Sequence, residues 1–395
     1  MKVLVLAWEF PPRLIGGIAR HVAELYPEIV NLNYEVHLIT VEFGKAPQYE
    51  IFEGIHVHRV SVAKGNDFFH WVANMNDSMG RYGGKLIEQE GNFDLIHAHD
   101  WLVGDAAIAL KHNFKIPLVA TIHATEHGRN NGIYGDAQKY IDGKEKGLVH
   151  DAWRVIVCSQ YMRHEVEQAL HSPWNKIDVI YNGIRPEKKI HSTDFDRLSF
   201  RRRFARDNER IVYYVGRMTH EKGVFVLLNA APQILDKLGG KVKFVIIGGG
   251  NTDWLKQQAF GLGIGERCYF TGFMADEDLD KFQTIADCAV FPSLYEPFGI
   301  VALESFAARV PVVVSNTGGL SEVVKHDQTG IVTQTNNPDS LAWGILEVLK
   351  NPDRAQSLVT NAYDSLGIRF NWKKLARQTV AVYKRVLEER SRVDW

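Results

Sequence analysis

Short β-branched runs alternate with helical stretches of about 10–15 residues along this chain, and the alternation restarts halfway. Strands joined through such a crossover pair in parallel, because the connecting helix returns the chain to the same end of the sheet. The first-half runs are Val3-Leu4-Val5-Leu6-Ala7, Glu35-Val36-His37-Leu38-Ile39-Thr40, Ile55-His56-Val57-His58-Arg59-Val60, Leu95-Ile96-His97-Ala98, Leu118-Val119-Ala120-Thr121-Ile122, Arg154-Val155-Ile156-Val157-Cys158 and Ile177-Asp178-Val179-Ile180. The second half carries Ile211-Val212-Tyr213-Tyr214-Val215, Val242-Lys243-Phe244-Val245-Ile246-Ile247, Tyr269-Phe270-Thr271, Ala289-Val290-Phe291, Val310-Pro311-Val312-Val313-Val314 and Gly330-Ile331-Val332. Residues 185–210 between them are polar and charged without a strand, which marks a junction. The expected fold is α/β, with two Rossmann-like doubly wound domains over residues 1–184 and 185–371 facing each other across a cleft at the carboxyl ends of their strands. A final amphipathic helix over residues 372–389 can serve either domain.

A chain of 395 residues has room for two cores of ordinary size. Its 46 basic and 47 acidic residues leave a net charge of −1, so no global field attracts nucleic acid or an anionic membrane. Any basic site must be local. One candidate is the cluster Arg197, Arg201, Arg202, Arg203, Arg206 and Arg210, readable as a solvated linker helix or as a surface for lipid headgroups or an anionic acceptor. Cys158, Cys268 and Cys288 are too few and too scattered for a disulfide framework, which fits a reducing cytoplasm. The opening apolar run is broken by Glu9 and is too short for a signal peptide or a membrane span. The expectation is a cytoplasmic protein, with peripheral contact at the inner face of the membrane left open.

The densest chemistry lies in Tyr295-Glu296-Pro297-Phe298-Gly299-Ile300-Val301-Ala302-Leu303-Glu304. A strand stops at Pro292-Ser293, and a helix over residues 298–308 is expected after Pro297, which supplies no interior helical amide. That puts Glu296 in the loop and Glu304 two turns along the helix. The free amides of Phe298, Gly299 and Ile300 suit hydroxyl or phosphate oxygens, and a neighbouring acid accepts from sugar hydroxyls. An ordinary helix start with a capping acid explains the same spacing.

Strand 211–215 ends in Gly216-Arg217-Met218-Thr219-His220-Glu221-Lys222-Gly223. Arg217 and Lys222 place two cations at the ligand-binding edge, an arginine fork and a mobile ammonium that together suit a diphosphate. Gly248-Gly249-Gly250 lets the backbone approach a nucleotide or makes a tight turn. With Asp253 where a third glycine would stand, it is not a dinucleotide fingerprint.

Near the amino terminus, Gly16-Gly17 opens a helix over residues 18–29 and offers bare amides to an anion, or serves as simple turn glycines. His97 and His99 share a strand face, where a metal is conceivable but no further ligand has metal-like spacing. Asp100 and His123, at neighbouring strand ends, better suit substrate contacts, and His99 is equally readable as a satisfied structural histidine. Ser321 and Glu322 read as fold support or, less readily, as lining of the cleft. There is no Gly-x-Ser-x-Gly elbow and no Walker loop.

Taken in order, Gly16-Gly17, His97-Ala98-His99-Asp100-Trp101, Val215-Gly216-Arg217 with Lys222-Gly223, Phe270-Thr271-Gly272-Phe273 and Glu296-Pro297-Phe298-Gly299 with Glu304 resemble the retaining nucleotide-sugar glycosyltransferases of family 4, relatives of glycogen and starch synthases. The resemblance covers nearly the whole chain and implies a GT-B fold, with donor held mainly by the second domain, acceptor by the first, and the last helix crossing back onto the first. It implies that Arg217 and Lys222 neutralise the leaving diphosphate, Glu296 holds donor-sugar hydroxyls and Glu304 the ribose. Backbone near Phe273 and Met274 would meet the base, with Gly250, Phe298, Gly299 and Ile300 lining the donor site and Gly16 and Gly17 approaching the diphosphate. His123 would lie by the donor sugar and Asp100 on the acceptor side.

The implied partners are a nucleotide sugar, on family frequency a UDP-sugar such as UDP-glucose, and a glycan or lipid-linked sugar acceptor. No metal and no cofactor beyond that co-substrate is implied. Glycogen synthases carry a lysine before the corresponding glycine pair, where this chain has Leu14-Ile15, which turns the expectation toward exopolysaccharide, cell-envelope or glycolipid synthesis. The rival readings are another GT-B enzyme, an epimerase or phosphorylase, and a non-catalytic nucleotide-sugar binding protein. A phosphorylase would need a pyridoxal lysine that has no evident place.

Overall fold

The computed structural model describes every residue except 92, 189–194 and 394. The middle of the expected junction thus lies outside the described residues. The chain divides into two compact units, Met1–Gly183 with Trp372–Trp395 as the first and Ile184–Asn371 as the second.

The first unit contains β1 (Lys2–Leu6), β2 (Glu35–Val41), β3 (Tyr49–Phe52), β4 (Ile55–Val60), β5 (Leu95–His99), β6 (Leu118–Ile122), β7 (Arg154–Val157) and β8 (Ile177–Val179). They form one eight-stranded sheet in the order β3-β4-β2-β1-β5-β6-β7-β8. Every pairing is parallel except that of β3 with β4. Helices cover both faces, so Val3, Leu4, Val5 and Leu6 are all buried and β1 shows no polar alternation. The short edge strand β3 is an addition to the sequence expectation. Tyr49 and Ile51 on one side of it are 50% and 63% exposed, and a four-residue strand with an open face leaves little apolar signal.

The helices Gly17–Val30 and Trp372–Arg390 both pack into this unit, where Val22, Tyr26 and Ile29 share a core with Trp372, Leu375, Ala376 and Tyr383. Burial of each such large side chain contributes about 1.5–3 kcal/mol. The indole of Trp372 donates to Glu24 at 2.5 Å, which satisfies its only polar atom.

The second unit contains β9 (Arg210–Val215), β10 (Val242–Ile247), β11 (Cys268–Gly272), β12 (Cys288–Phe291), β13 (Val312–Ser315) and β14 (Ile331–Thr333). Its sheet runs β11-β10-β9-β12-β13-β14 and is wholly parallel. In each sheet the order reverses once, between β1 and β5 and between β9 and β12. Successive helices leave for opposite faces at that point, which opens a crevice beyond the strand ends.

The arginine cluster is largely engaged inside the second unit. Arg201 and Arg210 reach Asp287 at 3.3 and 2.9 Å, Arg202 pairs with Asp207 at 2.6 Å, and Arg197 donates to the Thr284 carbonyl. Among the described residues no helix is long and apolar enough to cross a membrane.

Candidate active site

Arg217, Lys222 and Glu296 of the second unit lie at its switch point. Gly216 and Arg217 follow β9, and Ser293 to Glu296 follow β12. Lys222 ends a 3-10 turn at His220–Lys222, and its Nζ lies 2.7 Å from Glu296 Oε2, with both side chains largely buried. Ser293 Oγ donates to the same oxygen at 3.4 Å. The turn is fastened to this loop, since the Glu221 carbonyl accepts from the amides of Leu294 and Tyr295 at 2.8 and 3.2 Å. Arg217 reaches Glu221 at 3.3 Å, while half of its side chain stays open to solvent. A loosely held arginine and a paired lysine stand side by side in this loop pair. Pairing Lys222 with Glu296 offsets the desolvation of both charges until something replaces one partner.

The helix expected over residues 298–308 opens later, at Ile300–Ala307. Gly299, at φ +105°, turns the chain in a conformation closed to other L-residues, and a Cβ there would meet Leu320 at 2.5 Å. Glu304 therefore lies one turn from the helix start rather than two, and it is buried. Phe298 contributes its ring to the core against Phe370, at 6.1 Å between centroids, so only its backbone is available to a ligand. The loop is locked from below by Gly318 at φ +51°, whose Cβ would stand 2.0 Å from the Glu296 carbonyl. Gly250 sits beside this assembly, because Met218 donates its amide to the Gly249 carbonyl at 3.1 Å. Phe273 and Met274 follow β11, and the Phe273 ring is 73% exposed.

The first unit builds its edge from buried neutral rings. His97 shares hydrogen bonds with the hydroxyls of Tyr383 at 2.6 Å, Thr121 at 2.7 Å and Tyr26 at 2.9 Å. Both of its nitrogens are thereby used, and it belongs to no grouping of three possible metal ligands among the described residues. His99 bonds Tyr26 at 2.7 Å and His123 at 3.0 Å. His21, which carries no sequence signal beyond its place on the helix face, closes the group. Its Nδ1 meets Asn182 at 2.7 Å, and its Nε2 is buried without a partner among the described residues. Burial above all pushes His21 and His123 down to about 3, and holds His97 and His99 well below the ordinary range, so the four are neutral at pH 7. Nitrogens of His21, His99 and His123 lie within 4.8 Å of one another, a grouping with the chemistry to take a divalent ion, and Glu35, His37 and His56 form a second such grouping.

Asp100 caps this cluster. It adopts φ +63°, uncommon for a residue with a side chain, and is held there by its amide on the Thr121 carbonyl at 2.9 Å. Its carboxylate accepts from the His123 amide at 2.7 Å, which fixes the two strand-end residues to each other. Burial raises Asp100 to about 6, against the lowering effects of that amide and Arg129. Glu145, buried behind it, is raised to about 8, chiefly by burial and in part by the charge of Asp100.

The Gly16-Gly17 turn departs from the expectation of bare amides. Glu9, buried just after β1, accepts from Ile15 at 2.8 Å, Gly16 at 2.9 Å and Ala19 at 3.4 Å. An internal carboxylate thus occupies the amide of Gly16, and any anion must use what is left of the turn. The available signal is an acid seven residues before the glycine pair, and from sequence it reads only as a break in the apolar run.

Comparison with known proteins bears on both halves. Residues 15–188 match the family model described as Glycosyltransferase Family 4, and residues 196–365 that of Glycosyl transferases group 1. An uncharacterized glycosyltransferase of Methanocaldococcus jannaschii is 38% identical, over 98% of this chain and 99% of the relative. A glycogen synthase of Mycobacterium tuberculosis is 34% identical over 97% of this chain and 94% of its own. Among solved structures, HepE of Anabaena in complex with UDP and glucose superposes with a TM-score of 0.78 at 22% identity, over 98% of this chain and 100% of that one.

Proposed function

The chain belongs to glycosyltransferase family 4, with the GT-B fold, and we propose that it moves a hexose from a UDP-sugar, such as UDP-glucose, to a glycan or lipid-linked sugar with retention of anomeric configuration. The observation that carries this reading is the Lys222–Glu296 pair at 2.7 Å at the switch point of the second sheet, with Arg217 beside it. A donor diphosphate would draw Lys222 and Arg217 onto its oxygens. Glu296, released from its partner, would accept from hydroxyls of the sugar.

Breaking the sugar–phosphate bond puts negative charge on the leaving nucleotide and positive character on the anomeric carbon. Fixed cations aimed at the first and neutral dipoles near the second supply most of the acceleration. Arg217 and Lys222 are suited to the first task. Glu304, Gly250, Phe273, Met274, Gly299, Ile300 and the backbone of Phe298 would hold the nucleoside, and Gly17 with the remainder of its turn would approach the diphosphate. His123 would face the anomeric carbon, where a neutral imidazole or its carbonyl tolerates positive charge better than an imidazolium would. Asp100 would contact the acceptor hydroxyl. No side chain is assigned as a nucleophile, so attack on the same face as the departing diphosphate is favoured over a covalent intermediate.

UDP is preferred because the similar Anabaena structure holds it. A glucan acceptor is the second reading, favoured by the 34% identical relative named as a glycogen synthase, which weighs against excluding that activity from Leu14-Ile15 alone. Thermal shifts with UDP, ADP and GDP test the donor, since a ligand at about 100 times its dissociation constant adds about 2.7 kcal/mol. No response to any of the three sinks the nucleotide-sugar reading. Proton NMR of fresh product tests retention, and an inverted anomeric centre ends it.

A further inference from the structure

The carboxyl edge of the first sheet carries a chain of aromatic rings built around one arginine. The Arg13 guanidinium lies 5.2 Å from the ring centres of both Trp8 and Trp71, and 5.9 Å from that of Phe43. Phe68 stacks on Trp71 at 6.4 Å and meets Trp101 edge-on at 6.4 Å, and Trp101 follows Asp100 in the chain. Trp8 precedes Glu9, which caps the glycine turn. The rings therefore run without a gap between the glycine turn and Asp100. Phe43 and Phe68 are 46% and 49% exposed, so the platform has an open face.

The arginine at its centre is not neutralised. Among the described residues no carboxylate, carbonyl or hydroxyl accepts from its side chain, and its Nε is buried without a partner. Glu9 is the acid whose charge it feels, yet the Glu9 oxygens are taken by three backbone amides. A partly desolvated cation without a counter-ion is costly, and ring faces compensate only in part. The Arg13 fork fits a carboxylate or a phosphate in two parallel hydrogen bonds. Flat ring faces fit the C–H faces of a pyranose or cyclitol. Both features are met by a single chemical class.

We propose that this platform is an acceptor subsite for an anionic sugar, its ring lying against Trp71 and Phe68 and its carboxylate or phosphate held by Arg13. The proposal rests on the reading of the first unit as the acceptor half. It narrows the acceptor from any glycan or lipid-linked sugar to one with an acidic group near the accepting ring.

Isothermal titration of the full chain, with UDP present, against glucose, glucuronate, glucose 6-phosphate and inorganic phosphate tests it. At least one of the two charged sugars should bind 10-fold or more tighter than glucose, and the tighter of them identifies the anion. Arg13→Leu, which keeps the apolar packing, should abolish that preference, Arg13→Lys should restore part of it, and Trp71→Ala should weaken both charged sugars. UDP affinity should stay within two-fold throughout. Glucose binding as tightly as the charged sugars, a preference that survives in Arg13→Leu, or phosphate alone binding as tightly as glucose 6-phosphate would each overturn the proposal. If UDP titrates normally while no sugar binds, the subsite falls and the transferase reading stands. If the charged-sugar preference appears without any UDP binding, the anionic-sugar site stands, while its acceptor role falls with the nucleotide-sugar reading.

Discussion

The two sheets reverse their strand order in the same way, yet each arms its own switch point with chemistry opposite to the other's. The second unit sets out charges: Arg217, Lys222 and Glu296, with the lysine and glutamate already in contact. The first sets out rings: four histidines kept neutral by burial, with Asp100 raised to about 6. One scaffold therefore supports either a site for charge or a site for uncharged hydroxyls, and what decides is whether the buried strand-end side chains meet an opposite charge. Lys222 and Glu296 are paired with each other, whereas the histidines face one another and tyrosine hydroxyls and gain nothing from a proton.

The sharpest way to break this contrast is to discharge the ionic half. Lys222→Ala and Glu296→Ala should each lower transfer by about 100- to 1000-fold, while the melting curve still shows a folded protein. Turnover within a few-fold of the parent would remove the ionic half from the mechanism. Gly318→Ala comes next, because it places a Cβ against the Glu296 carbonyl at a left-handed φ. A destabilisation of at least about 1–2 kcal/mol is expected, read from denaturant midpoints, together with loss of activity.

In the ring-built half the effects should appear in stability before activity. Tyr383→Phe leaves His97 one hydroxyl short in a fully buried network. A loss of about 1–3 kcal/mol follows, seen as a lower melting temperature with UDP affinity unchanged. The smallest effect is a matter of pH. If Asp100 must be ionised to accept from the acceptor hydroxyl, kcat/KM rises with pH through about 6, because the raised carboxyl holds its proton below that value. Stability runs the other way, since the folded state keeps that proton between about 4 and 6 while the unfolded chain has released it, so this group's contribution falls as pH rises across that window. Asp100→Asn should remove both limbs, and a kcat/KM profile that keeps its limb near 6 would transfer the effect to another acid.

Most of the strand positions follow from features visible in the residues themselves. Runs such as Val3 to Leu6 and Val312 to Val314 are apolar on both sides, which only a doubly covered parallel strand requires, and each appears as a strand within two residues of the expected bounds. The edge strand Tyr49–Phe52 escapes such reading because half of it faces water. The helix that carries Glu304 starts two residues later than its pattern suggests, because Gly299 in a left-handed turn looks from its sequence like any residue after a proline. Glu296 with Glu304 and Arg217 with Lys222 are legible because each pair lies in one strand-to-helix segment, and Asp100 with His123 because they follow neighbouring strands of one unit. His21, Tyr26 and Tyr383 are not, since their partners lie 71 to 286 positions away in the chain.

By itself, then, the sequence determined the class of fold, with its two doubly wound sheets, and the residue types at the strand ends, because periodicity and turn chemistry act over a few residues. Tertiary structure alone decided whether the Gly16 amide is free and which histidines meet. Each of those depends on burial and on contacts between distant segments, and a burial energy exists only once the surrounding atoms have been brought into place.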